Sequence, residues 1–100
     1  MRRLVYLADA RADLAEIFHY IRSESGSSDI AYAYIEKIDE HCRHLAGLPG
    51  TLGTARPELR PDLRSVSHQA HVIFFRYVEE RIEVVSVVSA HRDLARLFDT

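Results

Sequence analysis

The sequence has little of several things that mark specialised proteins. It contains one cysteine, Cys42, and no tryptophan. A single cysteine excludes an intrachain disulfide, and it is consistent with a reducing compartment. No apolar run approaches the ~20 residues of a membrane span, and Asp9 interrupts the N-terminal segment before a run of signal-peptide length. We therefore expect a cytoplasmic protein that makes no membrane contact.

An excess of charge of either sign is also missing. The net charge is −2, and Lys37 is the only lysine among 13 basic residues. Proteins that grip phosphate backbones usually have a basic excess or a basic face, so the composition predicts no direct nucleic-acid binding, although a local arginine patch is compatible with it. Hydrophobic residues make up 47% and charged residues 28%, which is ordinary for one globular domain spanning residues 1–100.

Two segments of the first half have the periodicity of amphipathic helices. Asp9 is expected to cap the first, whose apolar positions are Leu14, Ile17, Phe18 and Ile21. Its solvent side is predicted to hold Arg11, Asp13, Glu16 and Arg22. The run Ser25-Gly26-Ser27-Ser28 ends this helix, and Ser28 or Asp29 is expected to cap a second one that runs to about Gly47. The short polar connection predicts an antiparallel helical hairpin.

The remaining segments have the period of two that is typical of strands. Predicted strands cover residues 2–7, 63–67, 72–78 and 82–88. The turn Glu79-Glu80-Arg81 joins the last two, and residues 51–62 are predicted to be an ordered loop. The nearly continuous apolar run Val84–Val88 suits a central strand covered on both faces. A short helix is expected at 91–98.

The predicted order is β-α-α-β-β-β with a short C-terminal helix. Helices are grouped before most of the strands, which favours an α+β fold. The expected architecture is an N-terminal strand and an antiparallel helical hairpin packed on a mainly antiparallel sheet.

Four pieces of the sequence, in this order, resemble ParE-type toxins of the RelE/ParE superfamily. They are Ala10–Ile21, the loop Leu48–Ser65, the strand His71–Tyr77, and the last strand with the pair Arg92-Asp93. The resemblance covers almost the whole chain. It implies a toxin of a type II toxin–antitoxin system that inhibits DNA gyrase by binding it, without a cofactor. It also implies a ParD-like antitoxin, through which alone the chain would reach operator DNA.

The chain departs from the ParE pattern at three places. His71 stands where a tyrosine is usual, Ser86 where an arginine is usual, and Ser89-Ala90 where a His-Gly pair is usual. These departures do not change the fold that the resemblance implies. They bear on whether the chain acts on a target and how strongly.

Five residues of the resembling pieces are candidates for target contact: Arg56, Arg64, His71, Arg92 and Asp93. Guanidinium groups suit acidic partners or nucleic acid because they donate several hydrogen bonds in one plane. In the competing interpretation, Arg56 and Arg64 pair with neighbouring acids and hold the loop, while Arg92 and Asp93 form a local ion pair near a helix start. Both interpretations stay open on the sequence.

Three tyrosines, Tyr20, Tyr32 and Tyr34, are candidates for antitoxin binding. They are expected either to pack in the core or to leave aromatic surface on the hairpin, where an amphipathic antitoxin tail would bind.

Histidines give a further set of hypotheses. His68, His71 and His91 lie near strand ends, where they could converge as acid–base groups or form a plain polar turn. His41 and His44 share a helix face, but no second ligand pair accompanies them, and Cys42 falls on the apolar stripe. We therefore predict no metal site and a core role for Cys42.

A fold shared by binding toxins and nucleases cannot decide between them. The favoured interpretation is a gyrase-binding toxin rather than an enzyme. The first alternative is a RelE-type ribosome-dependent mRNA endonuclease, which would use sheet lysines and arginines and a C-terminal tyrosine; here Val72 follows His71 and Phe98 is the C-terminal aromatic. The second alternative is an inert toxin homologue that acts only within the antitoxin complex.

Overall fold

The computed structural model describes residues 2–90, and within them the helices precede most strands as predicted. The elements are β1 (Arg3–Tyr6), α1 (Ala8–Ser25), α2 (Ser28–Gly47), β2 (Thr54–Ala55), β3 (Arg64–His68), β4 (His71–Val78) and β5 (Arg81–Ser89). The helix expected at 91–98 lies outside the described residues.

The strands form one five-stranded sheet in the order β1-β5-β4-β3-β2. β1 runs parallel to β5, and the other neighbours are antiparallel. β5 is therefore an inner strand, as its apolar run Val84–Val88 predicted. The α+β class and the mainly antiparallel sheet are both confirmed.

The hydrophobic core has a part on each face of the sheet. On the helix side, Ile17 of α1 and Ile38 of α2 belong to the same buried cluster as Phe75 of β4. A smaller cluster on the opposite face is centred on Phe74, and Leu59 and Leu63 of the preceding loop cover it. Side chains alternate between the faces of a strand, so the neighbours Phe74 and Phe75 serve the two clusters. Cys42 is buried in the larger one, as predicted.

Both predicted helix caps are wrong. α1 begins at Ala8 after Leu7, which contributes no side-chain cap, and Asp9 lies in the first turn. An acid in the first turn still favours the helix, because it faces the positive end of the helix dipole. α2 is capped by Ser27, whose hydroxyl accepts a hydrogen bond from the Ile30 N–H. The sequence Ser27-Ser28-Asp29 offers three good caps in a row, so composition alone could not select one.

The loop predicted at 51–62 contains a short strand, β2, which pairs with the start of β3. The turn between β4 and β5 is also tighter than predicted, because Arg81 already belongs to β5. Only Glu79 and Glu80 form that turn, and Glu79 adopts a φ of 56°. A positive φ is typical of the two-residue turns that close hairpins.

The pairing of β4 with β5 shifts register between Phe74 and Phe75. Phe74 faces Ser86, whereas Phe75 faces Val84, so Val85 is an additional residue on β5. A bulge of this kind bends the strand and redirects the groups beyond it. Ser86 to Ser89 follow the bulge, and they lie at the edge of the candidate functional site.

Candidate functional site

A cavity of about 480 Å³ lies between α1 and the last residues of β5. Its lining combines apolar side chains with a few polar groups: Asp13, Glu16, Ile17, Tyr20, Ala70, His71, Val87, Val88 and Ser89. A concave site of this size with a few convergent polar groups is the usual form of a binding site.

The cavity exists because β1 is shorter than β5. β1 pairs only with Arg81–Val84, so within residues 2–90 no strand follows the outer edge of β5 beyond that point. Asp13 of α1 substitutes for the missing strand: its Oδ2 accepts a hydrogen bond from the Val87 N–H at 3.0 Å and one from the Ser86 hydroxyl at 2.7 Å. These bonds satisfy backbone and side-chain donors that would otherwise lack a protein partner.

The charged side chains that line the cavity are acidic. Asp13 and Glu16 contribute two carboxylates to the lining, and none of its described residues is a lysine or arginine. The apolar part comes from Ile17 and Val88. The arrangement therefore suits an apolar segment that carries a basic side chain.

His71 lies on the wall of this cavity and contacts α2 through Tyr34. The Tyr34 hydroxyl and His71 Nδ1 are 2.5 Å apart, and the two rings meet edge to face. Burial lowers the pKa of His71, and the neighbouring His68 lowers it further. Burial likewise raises the pKa of Tyr34. Both groups are therefore held in their neutral forms, in which tyrosine donates to the imidazole nitrogen.

The tyrosines proposed for antitoxin binding differ in exposure. Tyr20 is 66% exposed and Tyr32 is 61% exposed, and Ile30, two residues before Tyr32, is 54% exposed. The Tyr32 ring packs edge to face against the ring of Phe18. Tyr34, in contrast, is half-buried against His71. Exposed aromatic surface on the hairpin therefore comes from Tyr20 and Tyr32.

Arg56 and Arg64 hold the chain between α2 and β3. Arg56 Nε donates to the Ser65 hydroxyl at 2.7 Å. Arg64 donates from Nε to the Leu52 carbonyl at 2.7 Å and from Nη2 to the Gly53 carbonyl at 3.1 Å. These contacts favour the loop-holding interpretation for both arginines. Target contact through their remaining donors stays a prediction.

On the face of the sheet opposite the helices, Glu83 binds two arginines at once. Its oxygens accept from Arg76 Nε at 2.9 Å and from Arg81 Nη2 at 3.0 Å. Only 9% of its side chain is exposed, and the hydrogen bond from Arg76, followed by that from Arg81, lowers the pKa of its carboxyl group. The carboxylate therefore remains charged near neutral pH and pairs with both guanidinium groups, whose charge it offsets in part.

The structure brings together some predicted site residues and not others. His68 and His71 do converge at the hairpin of β3 and β4, whereas Arg92, Asp93 and His91 lie outside the described residues.

Two functional groups were missed, Asp13 and Glu83. Asp13 was assigned to the solvent side of α1, but it is half-buried against β5; only its place beside Leu14, next to the apolar stripe, hinted at this.

Within the described part of the chain, no group of three or more histidine, cysteine, aspartate or glutamate side chains is arranged to hold a metal ion. No helix within residues 2–90 has the length and apolar character needed to cross a membrane.

Comparison with known proteins identifies the family of this fold. The family model described as the ParE toxin of the type II toxin–antitoxin system parDE matches residues 4–94. Among solved structures, a chain of the chromosomal ParDE toxin–antitoxin system from P. aeruginosa is similar, with a TM-score of 0.75 and 22% identity over 89% of this chain and 96% of that one. No curated protein matches significantly.

Proposed function

Because the chain belongs to the ParE toxin family, we propose that it is the toxin of a type II toxin–antitoxin pair and that a ParD-type antitoxin neutralises it. We further propose that it acts by binding DNA gyrase, as the resemblance implies, and that it does not cut RNA. The observation that favours gyrase binding over RNA cleavage is the pairing of Arg76 and Arg81 with Glu83.

An RNA-cleaving site needs a base, an acid and cations that stabilise the charge developing on the phosphate. In this chain the arginines of β4 and β5 already share a carboxylate. Arg64 of β3 is held by backbone carbonyls, and the only lysine, Lys37, lies on α2. Loss of one electrostatic contact can cost ~10²–10³ in rate. These placements favour protein recognition over phosphate chemistry.

The proposed gyrase action is tested by two assays on the same preparation. Purified protein is added to gyrase with supercoiled plasmid, and to programmed ribosomes whose message is then mapped by primer extension. We expect trapped gyrase–DNA complexes and intact message. In cells without the antitoxin we expect expression to arrest growth, and co-expression of the antitoxin to restore it.

The outcomes of these assays are distinct. Cut message with unaffected gyrase would establish the endonuclease, and His71→Ala should then abolish the cutting. Normal growth with soluble, folded protein present would favour an inert homologue that functions only in its antitoxin complex.

For the antitoxin, we propose binding across the cavity beside α1 and the exposed aromatic side chains of the hairpin. The cavity lies next to Tyr20, and the carboxylates of Asp13 and Glu16 suit a basic side chain on the incoming segment. A tail that folds on binding can cover such a surface, and a specific interface buries over ~1,000 Å². Hydrogen exchange with and without antitoxin tests this: we expect added protection in residues 10–46, and unchanged exchange there would contradict the proposal.

A further inference from the structure

Three histidines and a tyrosine meet where α2 packs against the β3–β4 hairpin. His41 of α2 lies 5.5 Å from His68 of β3, measured between ring centroids. Tyr34, also on α2, lies 6.2 Å from His68 and 5.5 Å from His71 of β4. We call these four residues the histidine cluster. It joins a helix to a hairpin through aromatic rings.

The centre of the cluster leaves two imidazole nitrogens without a protein partner. The Nε2 atoms of His41 and His68 are buried and have no hydrogen-bond partner. A neutral imidazole tolerates such a position at the cost of one unmade hydrogen bond, whereas a protonated imidazole must place a charged donor there. At the other end, Tyr34 lies within hydrogen-bond distance of His71 Nδ1. Protonation of that nitrogen would remove the acceptor for the phenol hydrogen.

The surrounding charges do little to accommodate an added proton. A cavity between α2 and β3 is lined by His41 and His68 together with Lys37, Glu40 and His44, so its one carboxylate is accompanied by a lysine and a further imidazole. On the other side of His71, the carboxylates of α1 line the larger cavity, but Asp13 already accepts two hydrogen bonds from β5. Protonation of both His41 and His68 would also place like charges on rings whose centroids are 5.5 Å apart.

We propose that the histidine cluster is a pH-sensitive latch: neutral imidazoles hold α2 against the β3–β4 hairpin, and protonation releases this contact. His71 also lines the cavity between α1 and β5, so release at the hairpin would change the shape of that cavity. The latch is built from residues of this chain alone, and its test does not depend on the proposed antitoxin binding.

The direction of the pH effect follows from the histidines. Burial lowers the pKa of His41 below its ordinary 6.5, and His68 and His44 lower it further. The pKa of His71 is lowered by burial and by His68. A histidine whose pKa is lower in the folded state contributes stability that is present above pH 6.5 and is lost as the pH falls through the folded pKa. The latch therefore opens on acidification.

Thermal unfolding at pH 7.5 and 5.5 tests the latch by comparing the wild type with His41→Gln and His71→Gln. Glutamine cannot take up a proton in this range, so the variants should lose less stability on acidification. We expect the fall in melting temperature between the two pH values to be larger for the wild type by on the order of 5 °C. His19→Gln, on the exposed side of α1, is the control and should follow the wild type. Equal falls in all four proteins would overturn the proposal.

A second measurement needs no variant of the cluster and covers the case in which one fails to fold. Imidazole proton resonances of the wild type are followed by NMR from pH 8 to pH 5, with hydrogen exchange measured at both ends. We expect His41 and His71 to titrate below pH 6.5, and the protection factors of residues 34–46, which compare the observed exchange with the intrinsic rate, to be lower at the acidic end. Titration of His41 and His71 at or above pH 6.5 would contradict the latch. Protection factors of residues 34–46 that stay the same at both pH values would also contradict it.

Discussion

Replacing Gly53 with alanine is expected to lower the free energy of unfolding by about 3 kcal/mol, a sum of two costs. Gly53 has a φ of 76°, which costs an alanine roughly 1–2 kcal/mol. The added Cβ would also lie 2.7 Å from the Ser65 carbonyl oxygen and 2.9 Å from Phe75 Cζ. Neither atom can yield easily, because Ser65 is in β3 and Phe75 is fully buried; such overpacking typically costs ~1–3 kcal/mol. Thermal or chemical denaturation would measure the loss.

Gly26 supplies the matched control for this substitution. It ends α1 with a φ of 72°, but nothing lies within 4 Å of where its Cβ would be. Gly26→Ala therefore incurs the backbone cost alone, roughly 1–2 kcal/mol. If the two variants were equally stable, the close approach of the loop to β3 and β4 would not contribute, and the loop would be free to move away from the sheet.

Hydrophobic periodicity predicted most of this fold because it reports burial directly. The apolar stripe around Ile17 and Ile38 located both helices, and alternation located the strands of the second half. The run Val84–Val88 also identified an inner strand before any pairing was known. These features depend on neighbours within one element, which is the information that a linear pattern contains.

The features that were not predicted depend on contacts between distant residues. β2 is two residues long and forms where Arg56 and Arg64 tie the loop to β3. The Val85 bulge follows from how β4 and β5 pair, and no local signal marks it. Asp13 contacts residues more than 70 positions away, so its position in sequence gave no reason to remove it from the solvent side.

In the candidate site, too, some features could be predicted from the sequence, whereas others depend on contacts between distant residues. The resemblance indicated Arg56 and Arg64 as candidates, and the structure showed that both hold the loop before β3. The Glu83 pairing could not be deduced from composition, because Arg76 and Arg81 become neighbours only through the register of β4 with β5. Register decides here whether an arginine is available to bind phosphate or is neutralised by a carboxylate.

Asp13→Ala is expected to lower the free energy of unfolding by about 2–3 kcal/mol, and Tm by roughly 10–20 °C. Asp13 links α1 by hydrogen bonds to the part of β5 beyond β1. Hydrogen bonds to a charged acceptor contribute about 1.5–3 kcal/mol, and alanine would leave the Val87 N–H and the Ser86 hydroxyl without their partner. Differential scanning calorimetry of the purified chain would measure the change.

Asp13→Asn separates the hydrogen bonds from the charge. The asparagine carbonyl still accepts from Val87 and Ser86, so its stability should fall by about 1 kcal/mol or less. If the antitoxin segment brings a basic side chain to the cavity, Asp13→Asn should weaken antitoxin binding about tenfold or more. The dependence of that binding on salt concentration should also become weaker. Ser86→Ala is the control, because it keeps the charge of Asp13 and should therefore keep the salt dependence. A stable Asp13→Asn protein with unchanged antitoxin affinity would assign Asp13 to the fold alone, since its charge would then be irrelevant to recognition.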